Sequence, residues 1–293
     1  MNSLLRERLG DPSLNSEEDL RQHFREAVQE IALYSLSAHG FFEKAIFHGG
    51  TELRIVHSLP RFSEDLDFLL RTPDESFDWA DHEEGLLSTC RRFGLSPEIR
   101  RKPWKREAIR AMLLIDDSNI VGSASGRPTQ TRIRLEIDTK PPSGTDARPA
   151  FLDFPAPHEI TAADLSSSLA LKCHALLCRS WVKGRDWFDL LWFCSRGVRP
   201  NYPLLSSALD QAGPWRGKGV VATPVWLEES LKRRLAEIDL RDAARDVLPF
   251  VRGEEKAAVE GWSEAMFLHY IGRLSESESQ GCSEENNHNE VTH

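Results

Sequence analysis

The sequence predicts an α+β protein, a mixed β-sheet with flanking helices followed by a helical C-terminal domain. Three observations carry this expectation. A short apolar run, Ala45-Ile46-Phe47, meets two glycines and a helix-forming stretch, and a strand-like segment follows at Ser63–Leu70. Thr131 to Asp138 alternates apolar and polar residues without interruption. Beyond the proline-rich stretch between Pro141 and Pro157 the pattern turns to helical periodicity. These signals divide the chain into an α/β domain at 1–157, a helical domain at 158–274 that completes a cleft, and a polar, disordered tail at 275–293.

Ser16-Glu17-Glu18-Asp19 reads as a capping box with Asp in the usual Glu position. Behind it Leu20, Phe24, Ala27, Ile31 and Tyr34 keep helical spacing, and Gly40 can close that helix. Thr51–His57 is the next helix, so Gly49 and Gly50 stand at its N-terminus. A backbone without Cβ atoms there can turn sharply and approach a ligand, and the free N–H groups favour a phosphate. In the following strand a period of two sends Ser63, Asp65 and Asp67 to one face and Leu66 and Phe68 to the other. Two carboxylates so spaced are well placed to share a hard cation.

A helix follows from Trp79 to Phe93, stopped at Gly94. Residues 97–121 form two strands joined by a basic stretch in which Arg101, Lys102, Lys105 and Arg106 surround Trp104. Such a stretch can hold an RNA backbone and stack a base, or merely guard an exposed hairpin edge. In the strand at 131–138, Ile133, Leu135 and Ile137 face one way and Arg132, Arg134, Glu136 and Asp138 the other. If this strand lies beside the Asp65/Asp67 strand, Glu136 is the first choice for a third metal carboxylate and Asp138 the second. Thr161 can cap a helix running to about Trp181 that carries Lys172 and Arg179. The next helix holds Lys183, Arg185, Asp186 and Asp189, with Arg185 and Asp189 paired at i,i+4. These charges are crowded among Trp181, Trp187, Phe188 and Trp192, which implies partial burial, and buried charge needs partners or a task. Helices near 225–237, 239–248 and 255–273 look structural, with Lys232-Arg233-Arg234 as a second basic patch.

Composition narrows the class. With 293 residues, 40% hydrophobic and 28% charged, the chain has ample material for a core. No window is apolar enough for a membrane span, and the first residues carry no secretory core. Five cysteines without CxxC spacing fit reduced thiols in the cytoplasm and argue against structural zinc. A net charge of −9 disfavours nucleic-acid binding by the whole surface, though not by a local groove.

Taken together, Gly49-Gly50-Thr51, the run Arg61 to Phe68, the strand Ile133 to Ile137, Lys172 with Arg179, and Lys183-x-Arg185-Asp186-x-x-Asp189 resemble the AbiEii-type nucleotidyltransferases. These are the toxin halves of type IV toxin–antitoxin and abortive-infection systems, with a polymerase-β-like nucleotidyltransferase fold. The resemblance covers about residues 20–275. Members often carry Lys where His48 stands here, a departure that leaves the phosphate cradle intact. The resemblance implies a divalent metal, Mg²⁺ or Mn²⁺, a nucleoside triphosphate as substrate, a cognate antitoxin, and in some members addition of nucleotides to the tRNA 3′ end.

On that basis Gly49, Gly50, the Thr51 hydroxyl and Ser63 are expected to hold the triphosphate, and Asp65 and Asp67, with Glu136, the metal. Lys172 is expected on the β- or γ-phosphate. Asp186 either orients Lys172 or takes the proton of the attacking hydroxyl. Arg185, Asp189 and Arg61 are expected to support these groups from behind. Two other readings remain open: nucleotide transfer to a protein side chain, and a binding protein that keeps the fold without catalysis.

Overall fold

The computed structural model describes residues 3–10, 16–101, 108–118 and 130–276. Helix α1 (Ser3–Leu9) precedes α2 (Glu17–Ala38), whose N-terminus is capped as its sequence requires: the Ser16 hydroxyl accepts from Asp19 N at 3.0 Å. Phe24, Ala27, Val28 and Ile31 form the buried stripe of α2, and Gly40, at φ +72°, turns the chain out of it.

Strand β1 (Ala45–His48) leads directly into helix α3 (Gly49–His57), and the chain returns as β2 (Leu66–Leu70). After α4 (Ala80–Arg92) come β3 (Pro97–Arg101), β4 (Ile109–Asp116), β5 (Thr131–Asp138), β6 (Ala147–Leu152) and β7 (His158–Ala163). These make one seven-stranded mixed sheet in the order β3-β4-β5-β2-β1-β7-β6. At its centre β1 runs antiparallel to β2, and the two parallel pairings, β2 with β5 and β1 with β7, flank that pair. The β5 alternation is realised, with Ile133, Leu135 and Ile137 wholly buried while Arg132 and Arg134 face outward. One sheet face packs on α2 and α4 around Phe47, Phe68, Trp79 and Leu86.

The remaining helices are α5 (Leu165–Cys178), α6 (Gly184–Ser195), α7 (Tyr202–Gln211), α8 (Pro224–Ala236), α9 (Leu240–Val247), α10 (Gly253–Glu260) and α11 (Glu264–Gly272). They gather a second core around Leu169, Trp187, Phe193, Leu231 and Phe267, and Leu53 and Leu59, from α3 and the turn after it, belong to this second core. Helix α3 therefore ties the glycine turn to both halves. Among the described residues no helix is long and apolar enough to cross a membrane.

Four expectations about elements need correction. The Asp-x-Asp strand begins at Leu66, so Ser63 and Asp65 lie in the loop that feeds it. The sheet continues past residue 157, because β7 pairs in parallel with β1. Thr161 sits inside β7, and α5 is capped instead by Asp164, whose carboxylate accepts from Ser167 N at 2.8 Å. The segment 255–273 is two helices, broken before Ser263, which caps α11. Helix α7 had no counterpart in the sequence reading. Of the tail, residues 277–293 lie outside the described residues.

Candidate active site

A cleft of about 1050 Å³ opens between the β1–α3 turn and the facing ends of α5 and α6. His48, Gly49, Gly50, Ser63, Asp65 and Asp67 line one wall. Gly49 adopts φ +91°, and a Cβ placed on it would lie 2.8 Å from Asp67 Oδ2. A Cβ on Gly50 would lie 2.7 Å from Arg61 Nη2 and 2.8 Å from Ser63 Oγ. The glycines are thus pressed against the acidic strand and its loop, and no side chain fits between. Gly49, Gly50 and Asp67 line the same cleft. His48 opens this wall as a neutral imidazole, since burial and the nearby Lys172 ammonium push its pKa down to about 4.

Thr51 does not fit its expected role. It is buried, and its hydroxyl donates to the Asp65 carbonyl oxygen. It fixes the loop instead of meeting a ligand. Gln29 of α2 supports the same loop, donating to Ser63 O at 3.2 Å.

Among the described residues neither the Asp65 nor the Asp67 carboxylate has a hydrogen-bond or ion-pair partner. Burial, then Asp67, raises the Asp65 pKa to about 6, and burial also raises that of Asp67 against the pull of Lys183, Lys172 and Arg134. Two half-buried, unpaired carboxylates carry a charge that a bound cation or a proton would relieve. Glu136 lies directly beside Asp67 in the parallel β2–β5 register and lines the cleft, but its carboxylate is engaged by Arg134. Asp138 is farther along β5, opposite Leu69, and accepts from Lys140 N, away from the cleft lining. Among the described residues no three His, Cys, Asp or Glu side chains converge as a ready-made metal cage. Two carboxylates with room for phosphate oxygens nevertheless fit Mg²⁺, which is commonly held by one or two carboxylates together with substrate phosphates.

The opposite wall is a buried ion-pair network. Lys172 Nζ lies 2.9 Å from Asp186 Oδ1 and 2.8 Å from Asp189 Oδ2. Arg179 takes the other oxygen of Asp186. Arg61, from the loop before β2, grips Asp189 with Nε at 2.6 Å and Nη2 at 2.7 Å. Burial works against charge on Asp186, yet Lys172 and Arg179 hold its carboxyl down at about 2. Burial likewise opposes the Lys172 ammonium, and Asp186 and Asp189 overcome it. The expected i,i+4 pair of Arg185 with Asp189 does not form. Arg185 turns instead to Glu64 at 3.0 Å and lies 4.1 Å from the centre of the Phe250 ring.

Lys172 is therefore already neutralised twice, whereas Lys183, two residues before Arg185, lines the cleft with no carboxylate within 4 Å among the described residues. Burial lowers its pKa. Lys183 stood in the charge-rich motif, but nothing in the spacing distinguished it from its paired neighbours.

Of the basic stretch, Lys102, Trp104, Lys105 and Arg106 lie outside the described residues. Arg101 is exposed on the edge strand β3 and bound to Glu83 at 2.6 Å and 3.1 Å, which occupies its guanidinium. In the second patch Lys232 pairs with Glu228, and Arg234 pairs with Glu237 and donates to Arg179 O.

A mixed sheet that presents a diglycine turn and adjacent free carboxylates, closed by a helical wall, defines a nucleotide-handling transferase. The chain belongs to the family described as "Nucleotidyl transferase AbiEii toxin, Type IV TA system", matched over residues 31–266, and is a nucleotidyltransferase of that toxin class. Its fold is similar to that of MenT4, a nucleotidyltransferase toxin from Mycobacterium tuberculosis H37Rv, at 18% identity and a TM-score of 0.50, covering 94% of this chain and 99% of that one. It also resembles a crystal structure of a putative nucleotidyltransferase from H. pylori (15% identity, TM-score 0.48, 86% and 91% covered). JHP933 from Helicobacter pylori gives similar figures, with 15% identity, a TM-score of 0.47 and coverage of 86% and 88%. No curated protein matches it in sequence.

Proposed function

We propose that this protein transfers a nucleoside monophosphate from a nucleoside triphosphate to an RNA acceptor, a tRNA 3′ end, and acts as a toxin restrained by a cognate antitoxin. The observation that carries this reading is the contact across the glycine turn: Asp67, with no ion-pair partner within 4 Å among the described residues, lies against Gly49. Anion-binding N–H groups and a cation-seeking carboxylate then address one ligand that is itself anionic and metal-bound.

The triphosphate lies along the start of α3, held by the N–H groups of Gly49 and Gly50 and by the Ser63 hydroxyl. Asp65 and Asp67 are the residues that would hold Mg²⁺ or Mn²⁺. Bound there, the metal would supply charge neutralisation at the phosphoryl oxygens and the leaving pyrophosphate. Lys183 supplies the free positive charge at the phosphates. Asp186, fully ionised between Lys172 and Arg179, orients Lys172 and is too weakly basic to accept a proton. Glu136, held by Arg134, borders the metal site. In the transfer, the acceptor hydroxyl oxygen bonds to the α-phosphorus and releases its proton to solvent, as the bond from that phosphorus to the bridging oxygen breaks and pyrophosphate leaves with the electron pair. The cleft lies at the upper end of the roughly 300–1,000 Å³ range of small-molecule pockets. Arg134, Arg179 and Arg185 border it, where an acceptor phosphate backbone would approach.

The test is incubation of the protein with labelled nucleoside triphosphates, Mg²⁺ and either total RNA or cell lysate, with Asp65→Ala in parallel. Label in RNA of tRNA size, lost in the variant, is expected. Label confined to protein bands would move the acceptor to a side chain, and no label anywhere would remove the catalytic reading.

A further inference from the structure

Trp181 is the one tryptophan among the described residues that remains exposed, at 55%. Its neighbours in sequence behave differently: Trp187, Phe188 and Trp192 all enter the helical core. Trp181 sits in the short connection between α5 and α6 and lines the same cleft as Gly49, Asp65 and Asp67. Val182 beside it is 38% exposed and also lines the cleft. The cleft therefore has two poles. One is charged, built from the glycine turn, the free carboxylates and Lys183. The other is a flat aromatic surface extended by an aliphatic side chain.

The ring is also braced. Arg179 holds its guanidinium 5.2 Å from the centre of the Trp181 ring while binding Asp186, which is itself locked to Lys172. Two residues beyond Trp181, Lys183 forms the cap position of α6. Both ends of the connection are thus held at the ion-pair wall, Arg179 by its side chain and Lys183 by its carbonyl, which accepts from Asp186 N at 3.0 Å. A large ring held exposed on the cleft wall offers its surface to a ligand with a flat π-face.

We infer that Trp181 is the platform on which the base of the incoming nucleoside triphosphate stacks, an assignment that rests on the nucleotidyl-transfer reading of the site. A nucleoside triphosphate matches both poles: its phosphates need the charged one, and its base needs a planar apolar surface. Stacking tolerates every base because each has a π-face, so Trp181 strengthens binding without itself selecting one nucleotide.

The experiment compares wild type, Trp181→Ala and Trp181→Phe by calorimetric titration with an α,β-methylene nucleoside triphosphate, which cannot be transferred, and with inorganic tripolyphosphate, both in Mg²⁺. Trp181→Ala is expected to weaken the nucleotide analogue about tenfold or more, to leave tripolyphosphate unchanged, and to be largely rescued by Phe. An unchanged affinity for the analogue would overturn the assignment, as would equal losses for both ligands. Normal analogue binding with weakened binding of tRNA would place the acceptor's base on the ring instead and also overturn it. If wild type bound neither ligand, the triphosphate reading itself would fall, which separates that failure from a failure of the stacking inference.

Discussion

Arg61 and Asp189 lie 128 residues apart and meet in a two-pronged, buried ion pair, with Nε–Oδ1 and Nη2–Oδ2 distances of 2.6 Å and 2.7 Å. Arg61 belongs to the loop that delivers Asp65 and Asp67, and Asp189 to α6 on the opposite wall. The pair fixes the width of the cleft. Because Asp189 also contacts Lys172, the two partners are not equivalent.

Removing Asp189 strands the buried Arg61 guanidinium and leaves Lys172 with Asp186 alone, whereas removing Arg61 leaves Asp189 still paired with Lys172. Asp189→Ala should therefore destabilise the fold by about 3–5 kcal/mol, and Arg61→Met by less, about 1.5–3 kcal/mol. Denaturant unfolding of both variants checks the order. Equal or reversed losses would mean that Lys172 does not share the charge as its position implies.

Gly49→Ala and Gly50→Ala test the cradle. At Gly49 the added methyl meets Asp67 and must accept φ +91°, a conformation costing an L-residue about 1–2 kcal/mol. At Gly50 it meets the Arg61 guanidinium, which Asp189 prevents from moving aside. Gly49→Ala should lower nucleotide transfer at least a hundredfold with a modest fall in Tm. Gly50→Ala should lower both, because it strains the cleft-spanning pair. A labelling assay and a thermal melt distinguish the two patterns, and full activity in Gly49→Ala would remove the close-approach argument.

Legibility in the sequence followed the range of the interactions. The glycine turn and the β5 alternation depend on neighbours a few residues away, and Gly49, Asp67 and Glu136 accordingly come together at one wall. Thr51 was misread because helical phase, set by how α3 docks on the second core, turns its hydroxyl inward to Asp65 O. Residues 158–163 read as the beginning of the helical part because the partner that makes them a strand, β1, lies more than a hundred residues earlier. The difference between Lys172, expected at the phosphate, and Lys183, not singled out, was hidden for a similar reason. Which cation is neutralised depends on where Asp186 and Asp189 point in space, and Arg61, which completes that network, arrives from the other half of the chain.

The two lysines can be separated by experiment. Lys172→Ala leaves Asp186 paired with Arg179 and Asp189 with Arg61, so by the same reasoning as for Arg61 it should cost about 1.5–3 kcal/mol of stability. Lys183→Ala relieves a desolvated charge and should leave stability within about 0.5 kcal/mol of wild type or slightly above it. Its effect should appear in ligand binding, with affinity for tripolyphosphate reduced on the order of tenfold. Denaturation paired with calorimetry reads both, and a Lys183→Ala protein that binds tripolyphosphate normally would return the phosphate contact to Lys172.

The raised pKa of Asp65 sets a pH dependence whose sign differs with and without metal. Its carboxyl stands at about 6, against an ordinary value of 3.8, because it is buried beside Asp67. Without metal, the folded chain binds more protons than the unfolded chain between about pH 4 and pH 6, so this group makes stability fall as pH rises through that window. A metal requires the ionised form. Mn²⁺ affinity should therefore weaken as pH drops through about 6, and saturating Mn²⁺ should raise Tm at pH 7.5 and have little effect at pH 5. Asp65→Asn should flatten the metal-free slope and abolish the Mn²⁺-induced rise in Tm. Thermal melts across pH 4.5–8 with and without Mn²⁺ provide the check. A metal shift of equal size at pH 5 and pH 7.5 would show that the cation binds where Asp65 does not contribute.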